Sequence, residues 1–308
     1  MTIAPEAPAI PKPLTFLELE ITGRCQLTCS HCYAQSGPTG GHGTMTAADW
    51  RRVIDEAAEL GVESVQFIGG EATMHPAFVE LVDHALNTGR RVQVFSNLHR
   101  VSTDLWALFE RPGLSLATSY YSDDAHEHDE VTGRTGSHAR TRANIVSAVE
   151  RGIRLKVGII HMREGQRSAQ ALAEMRALGV DRVHIDRVRA VGNAARTAAI
   201  PSTSELCGRC ADGKAAILPD GTVVPCVLGR FLPAGSVKTT PLAAVLGGQQ
   251  WAQIAAAIPR HGGGCAPDTC TPKEDSCQPS PGAAACNPDQ DGSDCSPAET
   301  PACDPAYD

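Results

Sequence analysis

Short runs of β-branched and other apolar residues alternate with longer amphipathic stretches along the first two thirds of the chain. Short apolar runs predict strands, and apolar positions that recur about every 3.6 residues predict helices. The predicted strands are Leu14–Ile21, Ser64–Phe67, Arg91–Phe95, Leu114–Thr118, Leu155–His161 and Arg182–Ile185. The predicted helices are Ala47–Leu60, Pro76–Leu86, Thr103–Phe109, Ala139–Arg151 and Gln166–Leu178. This alternation predicts parallel strands joined by crossover helices, in a barrel-like or a doubly wound α/β sheet.

The clearest of these helices is the first, because its two ends also carry signals. Thr46 is a suitable N-cap, and Gly61 is a suitable C-terminal stop. Between them the apolar residues follow one helical face. The sequence therefore predicts both the helix and its boundaries.

The pattern changes after Asn193. Ala215–Leu218 and Thr222–Pro225 flank an Asp-Gly turn and predict a hairpin, and a helix is predicted over Pro241–Ile258. From His261 onward Gly, Pro, Ala and Asp dominate, and no regular structure is expected. Four regions follow: a flexible proline-rich arm (1–13), an α/β domain (14–195), a small cysteine-containing domain (196–260) and a tail (261–308).

Composition narrows the functional classes. The chain has 308 residues and a net charge of −8, with an isoelectric point near 5.8, which argues against a general nucleic-acid-binding protein. No run of about 18 apolar residues is present, so no membrane span is predicted. The N-terminal stretch lacks a signal-peptide pattern. Twelve cysteines without an export signal indicate metal or redox chemistry in a reducing cytoplasm.

Three cysteines, Cys25, Cys29 and Cys32, follow the first predicted strand. Their spacing lets one loop supply three thiolates to a 4Fe–4S cube, which normally takes four cysteines, so one iron stays open for a non-protein ligand. Three buried core thiols are one alternative. A zinc site that includes His31 is another, although its position next to Cys32 makes convergence on one ion awkward.

A second motif, Gly69-Gly70-Glu71, follows the second predicted strand. Two glycines let a ligand approach the backbone closely, and the turn exposes backbone groups to a charged ligand. Many strand–helix turns contain two glycines, so the tripeptide alone is a weak signal. Its value comes from its place one strand after the cysteine loop.

Together, the Cys25-x-x-x-Cys29-x-x-Cys32 and Gly69-Gly70-Glu71 motifs resemble the radical S-adenosylmethionine (SAM) superfamily. The resemblance implies a partial (β/α)6, TIM-like barrel that holds a 4Fe–4S cluster whose open iron binds SAM. It also implies that the Gly-Gly-Glu segment holds the methionine amine. Further residues are implied for SAM binding. His31 would lie near the adenine, and Ser96, Asn97 and Ser119 would lie near the methionine carboxylate or the ribose. Arg140 would pair with the carboxylate, although it could equally be a solvated helix residue.

The same resemblance implies the chemistry. A reduced cluster donates an electron to the sulfonium of SAM, and the resulting 5′-deoxyadenosyl radical abstracts hydrogen from the substrate. Iron–sulfur potentials extend down to about −700 mV, which is low enough for this reduction. An electron donor such as flavodoxin or ferredoxin is expected as a partner.

A second cysteine set consists of Cys207, Cys210 and, across the predicted hairpin, Cys226. This spacing favours a metal site over a redox C-x-x-C pair. It resembles the opening of SPASM or Twitch domains, which implies at least one auxiliary 4Fe–4S cluster, with Cys265 the nearest candidate for a fourth ligand.

Six C-x-P repeats then run through the tail. They depart from typical SPASM spacing, which puts a complete second auxiliary cluster in doubt. Most of the tail is as well explained by a low-complexity extension. The repeated cysteines are Cys265, Cys270, Cys277, Cys286, Cys295 and Cys303.

SPASM-type enzymes mostly act on peptides, so the resemblance implies an oxidoreductase that modifies a ribosomally made peptide by a thioether, a C–C crosslink or epimerisation. A barrel that begins near residue 14 leaves no room for an N-terminal leader-binding domain, so a separate leader-recognition protein or the barrel itself is expected to bind the leader. Two alternatives stay open: a radical SAM dehydrogenase or cyclase of a small molecule such as a sugar, aminocyclitol or nucleotide, and a non-catalytic iron–sulfur scaffold.

His126 and His128 could ligate a metal, but a polar loop over the barrel mouth is predicted there.

Overall fold

The computed structural model describes residues 13–195 and 201–260. The strands are β1 (Phe16–Thr22), β2 (Ser64–Gly69), β3 (Arg91–Phe95), β4 (Leu114–Tyr120), β5 (Leu155–His161), β6 (Arg182–Arg187), β7 (Lys214–Ile217), β8 (Thr222–Val224) and β9 (Gly235–Ser236). The α-helices are α1 (Ala47–Glu59), α2 (Phe78–Asn87), α3 (Thr103–Phe109), α4 (Ala125–Thr132), α5 (Ser137–Glu150), α6 (Ser168–Ala177), α7 (Leu242–Leu246) and α8 (Gln249–Ala257).

These strands form a nine-stranded sheet within the described residues, in the order β6-β5-β4-β3-β2-β1-β7-β8-β9. Strands β1 to β7 are parallel, and β8 and β9 are antiparallel. The predicted α/β class with a parallel sheet is confirmed. The predicted hairpin also forms, but its first strand β7 pairs with β1, so the small C-terminal region continues the sheet of the first domain.

The two faces of the sheet differ in polarity. Leu17, Phe67 and Val94 belong to the large apolar core that also contains helix residues such as Trp50. On the opposite face, Glu18, Gln66 and Gln93 lie side by side in register and are buried. Because side chains alternate across a strand, the helices cover the apolar face, and the opposite face is partly polar.

The helix ends explain why most helices were predictable. Thr46 caps α1 in a capping box, in which its side chain accepts from the Asp49 N–H and the Asp49 carboxylate accepts from the Thr46 N–H. Gly61 follows with φ +75°, a conformation that glycine adopts without strain. The predicted start and stop of this helix are confirmed to within one residue.

Two predictions along the chain are wrong. The segment with His126 and His128 is helix α4, capped by Asp124 and ended by Gly133, rather than a polar loop. It has eight residues and few apolar positions, so periodicity could not reveal it. The single helix predicted over Pro241–Ile258 is two helices, α7 and α8, because the chain turns at Gly247 and Gly248.

No helix among residues 13–195 and 201–260 is long and apolar enough to cross a membrane.

Candidate functional site

The loop after β1 places Cys25, Cys29 and Cys32 on the wall of a cavity of about 150 Å³. The loop is shaped by backbone bonds. The Cys25 N–H donates to the Gly37 carbonyl at 3.0 Å, and the Cys32 N–H donates to the Cys29 carbonyl at 3.2 Å. The cavity lies at the carboxyl ends of the parallel strands, where parallel α/β folds carry their binding sites.

Hydrogen-bond donors surround the sulfurs. The Cys25 Sγ accepts from the Leu27 N–H at 3.4 Å and from the Asn97 Nδ2 at 3.6 Å, and the Cys32 Sγ accepts from the Ser36 N–H at 3.3 Å. Burial raises the pKa of the Cys25 thiol to about 12, so its thiolate needs a bound cation. Three thiols on one loop, two of them with N–H donors beside the sulfur, fit an iron–sulfur cluster, whose sulfurs accept such bonds.

A single zinc ion fits less well. No group of three or more His, Cys, Asp or Glu side chains in the described part of the chain is arranged to hold one metal ion. Zinc needs about four ligands at one centre, whereas each cysteine of a 4Fe–4S cube binds a different iron. The donor set therefore favours the cluster over zinc with His31.

The Gly69-Gly70-Glu71 turn is fastened to the cysteine loop. The Gly70 N–H donates to the Thr22 carbonyl at 2.7 Å and the Glu71 N–H to the Arg24 carbonyl at 2.9 Å. A Cβ on Gly70 would lie 2.5 Å from the Arg24 carbonyl oxygen, and one on Gly69 would lie 2.3 Å from that of Thr22. Both glycines line the cavity, so the close backbone approach that the sequence predicts is present.

Glu71 has a different position from the two glycines. Its Oε1 accepts from the Thr73 N–H and hydroxyl, and its Oε2 accepts from the Asn97 N–H at 2.8 Å. Burial raises the pKa of this carboxyl group. Glu71 does not line the cavity. Its bond to the Asn97 N–H holds the Asn97 backbone in position. A direct contact of Glu71 with the methionine amine stays a prediction.

The remaining predicted SAM contacts divide into two groups. Asn97, Ser119 and His31 line the cavity. Ser96 is buried and its Oγ accepts from the Leu98 N–H, whereas Arg140 is exposed on α5. Neither of these two belongs to the cavity lining, and their roles in SAM binding stay predictions.

An aromatic wall completes the cavity, and sequence reasoning missed most of it. The His31 ring contacts the Tyr121 ring edge-on with 5.0 Å between the ring centroids, and the His128 ring contacts the same tyrosine at 5.2 Å. Burial lowers the pKa of His31 to about 4 and that of His128 to about 3, so both rings are neutral. The one available signal was the i, i+3 spacing of His128 and Val131 on α4, both buried.

The second cysteine set also converges. Cys207, Cys210 and Cys226 are buried; the Cys210 and Cys226 sulfurs are 2.6 Å apart, and those of Cys207 and Cys210 are 4.0 Å apart. The Cys226 Sγ accepts from the Gly229 N–H at 3.3 Å. Cys265 and the other tail cysteines, with the C-x-P repeats, lie outside the described residues.

Two buried carboxylates of β1 bond to the segment that follows Cys226. Glu18 accepts from the Val227 N–H at 2.9 Å, next to Cys226. Glu20 accepts from both terminal nitrogens of Arg230, at 2.8 and 3.3 Å. Burial raises the pKa of Glu18 to about 8. No local pattern predicts these contacts, because the bonded residues are more than 200 positions apart.

Comparison with known proteins identifies both regions. Residues 19–175, about half of the chain, match the model of the radical SAM superfamily, and residues 207–277 match SPASM, an iron–sulfur cluster-binding domain. The PqqA peptide cyclase of Rhodopseudomonas palustris is 30% identical over 198 residues, which are 63% of this chain and 52% of the cyclase. The subtilosin biosynthesis protein AlbA of Bacillus subtilis is 30% identical over 152 residues, 48% of this chain and 33% of AlbA. The chain thus spans about half the length, or less, of these curated relatives.

Solved structures agree on the fold. Streptococcus suis SuiB bound to SAM matches with a TM-score of 0.66 and 16% identity, over 80% of this chain and 68% of SuiB. Native anSMEcpe with bound SAM matches with a TM-score of 0.59 and 10% identity, over 78% of this chain and 82% of that one. With its cysteine loop, its Gly-Gly-Glu turn and a matching model over half its length, the chain belongs to the radical SAM superfamily, whose barrel domain binds a 4Fe–4S cluster and SAM, and it carries a SPASM iron–sulfur domain.

Proposed function

We propose that this protein reductively cleaves SAM and uses the resulting radical chemistry to modify a ribosomally made peptide. The observation that carries the proposal is a cavity whose wall combines three cysteines of one loop with the Gly69-Gly70 turn. When bound there, a 4Fe–4S cluster supplies a low-potential electron and an open iron where SAM can bind.

The residues of the chain hold and shield these groups. Cys25, Cys29 and Cys32 would hold the cluster. Asn97 and the Leu27 N–H donate to the Cys25 sulfur, and the Ser36 N–H donates to the Cys32 sulfur. These bonds would tune the reduction potential of a bound cluster. Glu71 keeps Asn97 in place through its backbone N–H.

The cavity walls exclude water from the reaction. Ile68, Phe95, Tyr121 and Ile160 give the cavity an apolar lining around the cysteines. A dry wall with few hydrogen donors is what a reactive radical requires, because it prevents quenching. His31, edge-on to Tyr121 with a buried Nδ1 that has no partner among the described residues, is available to bind the adenine.

The second cysteine set would hold an auxiliary 4Fe–4S cluster. Cys207, Cys210 and Cys226 supply three thiolates, and we assign the fourth position to Cys265 or to an external ligand. Such a cluster could bind a substrate thiolate or accept an electron from the substrate. The region from residue 196 to 260 is proposed as this auxiliary domain, beside a barrel domain of residues 14–195.

The peptide substrate is inferred from relatives. The matches include peptide cyclases, a bacteriocin biosynthesis protein and, among solved structures, SuiB bound to its precursor peptide SuiA. A separate leader-recognition protein or the barrel itself would bind the leader, and a flavodoxin or ferredoxin would supply electrons. The reducing cytoplasm predicted from cysteine usage suits this oxygen-sensitive chemistry.

The test is anaerobic reconstitution with iron and sulfide, followed by SAM and dithionite, with 5′-deoxyadenosine measured by mass spectrometry. We expect product from the wild type and none from Cys25→Ala/Cys29→Ala/Cys32→Ala. A matched Cys207→Ala/Cys210→Ala/Cys226→Ala variant should lose iron but keep cleaving SAM. No product from fully loaded wild type, with or without candidate peptides, would favour a scaffold. Stimulation by a sugar or nucleotide rather than a peptide would favour the small-molecule enzyme.

A further inference from the structure

The turn that follows β6 is bonded to the loop of cluster cysteines. The Asn193 N–H donates to the Cys32 carbonyl at 2.9 Å, and the Asn193 Nδ2 donates to the Cys29 carbonyl at 3.1 Å. We call the segment Gly192–Ala194 the clamp turn. Both of its acceptors are backbone carbonyls of cysteines that would bind iron. The clamp turn therefore fixes the backbone at two of the three cluster ligands.

Gly192 permits the close approach of the clamp turn to this loop. Its φ is +64°, a conformation that glycine adopts without strain. A Cβ at this position would lie 2.3 Å from the carbonyl oxygens of both Cys32 and Tyr33. These oxygens belong to the backbone, so they cannot rotate away as a flexible side chain could. The contact depends on glycine for its conformation and for its lack of a side chain.

The chain that leads into the clamp turn is anchored two residues before Cys207. The Glu205 Oε2 accepts from the Arg187 Nη1 at 2.8 Å and from the Ala190 N–H at 3.1 Å. The Glu205 carbonyl accepts from the Arg189 Nη1 at 2.9 Å. The end of β6 and the residues after it therefore connect the second cysteine set with the first.

The cysteine loop also has a separate attachment to α4. The Thr28 and Ser30 N–H groups each donate at 3.0 Å to carbonyls at the end of that helix. These bonds hold the residues next to Cys29, whereas the clamp turn holds the carbonyls of Cys29 and Cys32. Without the clamp turn the loop stays attached to the barrel, but these two cysteines can move relative to it. A bound group is retained well only where its ligands are held within about 0.5 Å.

We propose that the clamp turn positions the cysteine loop for cluster and SAM binding, and that its anchor at Glu205 makes this positioning depend on the region of the second cysteine set. Asn193 is a positioning residue, because it bonds to the cysteine backbone and contacts neither iron nor SAM. No electron, proton or covalent bond is transferred in this role. The inference rests on the proposed function in one respect, that a cluster occupies Cys25, Cys29 and Cys32.

The test uses full-length, cluster-loaded protein under anaerobic conditions, with SAM as the probe. SAM changes the electron paramagnetic resonance signal of the reduced cluster whose open iron it binds. We would measure the SAM dissociation constant from this change, and the rate at which a ferrous chelator removes the signal. The variants are Gly192→Ala, Asn193→Ala and Glu205→Ala. The matched control is Gly152→Ala, which has a similar φ of +67° but whose Cβ would meet no described atom within 4 Å.

We expect Gly192→Ala to lose the signal about tenfold faster than wild type and to bind SAM about tenfold more weakly, because its Cβ forces the turn away from the loop. Asn193→Ala removes one hydrogen bond, so both quantities should change about two- to tenfold. Glu205→Ala should act in the same direction with a smaller effect. Gly152→Ala should keep both quantities within about twofold of wild type although its Tm falls, which separates positioning from general stability.

Equal signal lifetimes and SAM affinities in Gly192→Ala and Gly152→Ala would overturn the proposal. If Gly192→Ala takes up no cluster, Asn193→Ala decides, because it leaves the backbone of the turn unchanged, and wild-type values in that variant would overturn the proposal. Wild-type values in Glu205→Ala beside altered values in Asn193→Ala would overturn the anchoring role of Glu205. These measurements need no turnover. A failure of the proposed function, seen as no SAM cleavage by loaded wild type, is therefore distinguishable from a failure of this inference.

Discussion

Replacing Gly70 by alanine tests whether the turn after β2 must contact the cysteine loop. The new Cβ would lie 2.5 Å from the Arg24 carbonyl oxygen, 2.8 Å from the Arg24 carbonyl carbon and 3.0 Å from the Cys25 Cβ. Two of these atoms belong to the backbone, which cannot rotate away as a flexible side chain could. The loop that holds Cys25 has to move, and the Asn97 contact with the Cys25 sulfur has to move with it.

The magnitude follows from the cost of overpacking. Extra atoms in a well-packed site cost about 1–3 kcal/mol, which corresponds to a fall in Tm of roughly 2–4 °C per kcal/mol for a domain of this size. We therefore expect a Tm lower by about 2–12 °C, together with reduced iron content and weaker SAM binding. The assays are anaerobic thermal unfolding, iron and sulfide analysis, and calorimetric titration with SAM.

The matched control is Gly37→Ala in the same region. A Cβ at Gly37 meets no atom within 4 Å, although its carbonyl accepts from the Cys25 N–H. This variant should keep the Tm, the iron content and the SAM affinity of wild type. If Gly70→Ala behaves like Gly37→Ala in all three assays, the close contact between the two motifs is not a constraint and the reasoning is refuted.

Two further predictions concern buried charge. Arg230→Met should lower the free energy of unfolding by about 2–4 kcal/mol, because it leaves the Glu20 carboxylate, 1% exposed, without its partner. The double variant Glu20→Gln/Arg230→Met should recover more than half of the lost free energy. An unchanged free energy of urea unfolding in Arg230→Met would contradict the pairing. His128→Gln should flatten the acid branch of the stability curve, because burial lowers the His128 pKa from 6.5 to about 3. As pH falls from 6.5 to 3, the unfolded chain binds a proton that the folded chain does not. This group therefore costs the wild type up to about 1.4 kcal/mol of stability per pH unit. Equal slopes of unfolding free energy against pH in the wild type and in His128→Gln would refute the assignment.

Elements with a strong local signal were predictable. The strands β3 and β5 and the helix α3 have the boundaries expected from the sequence, and α1 ends within a residue of its prediction. Their apolar periods and caps depend only on neighbouring residues. Helix α4 lacked that signal, because its stability comes from burying His128, Val131 and Thr132 against distant parts of the chain.

The residues of the candidate site also differ in how far the sequence alone predicted their roles. The spacing of Cys25, Cys29 and Cys32 within one loop indicated a cluster site without any knowledge of the fold, since three ligands in eight residues must lie close together. The role of Asn97 was not predictable in detail. Its side chain joins Cys25, Gln26 and His99 only after β1 and β3 have been brought to the same end of the sheet.

The sequence by itself determined the α/β class, the cysteine loop, the glycine turn and the second cysteine set, because these depend on local spacing and periodicity. Only the tertiary structure decided that β7 pairs with β1, that Glu18 and Glu20 accept hydrogen bonds from the segment after Cys226, and that Asn97 joins Cys25 to Gln26. The physical reason is distance along the chain. Contacts between residues far apart in sequence depend on how the whole sheet assembles, and no local pattern encodes them.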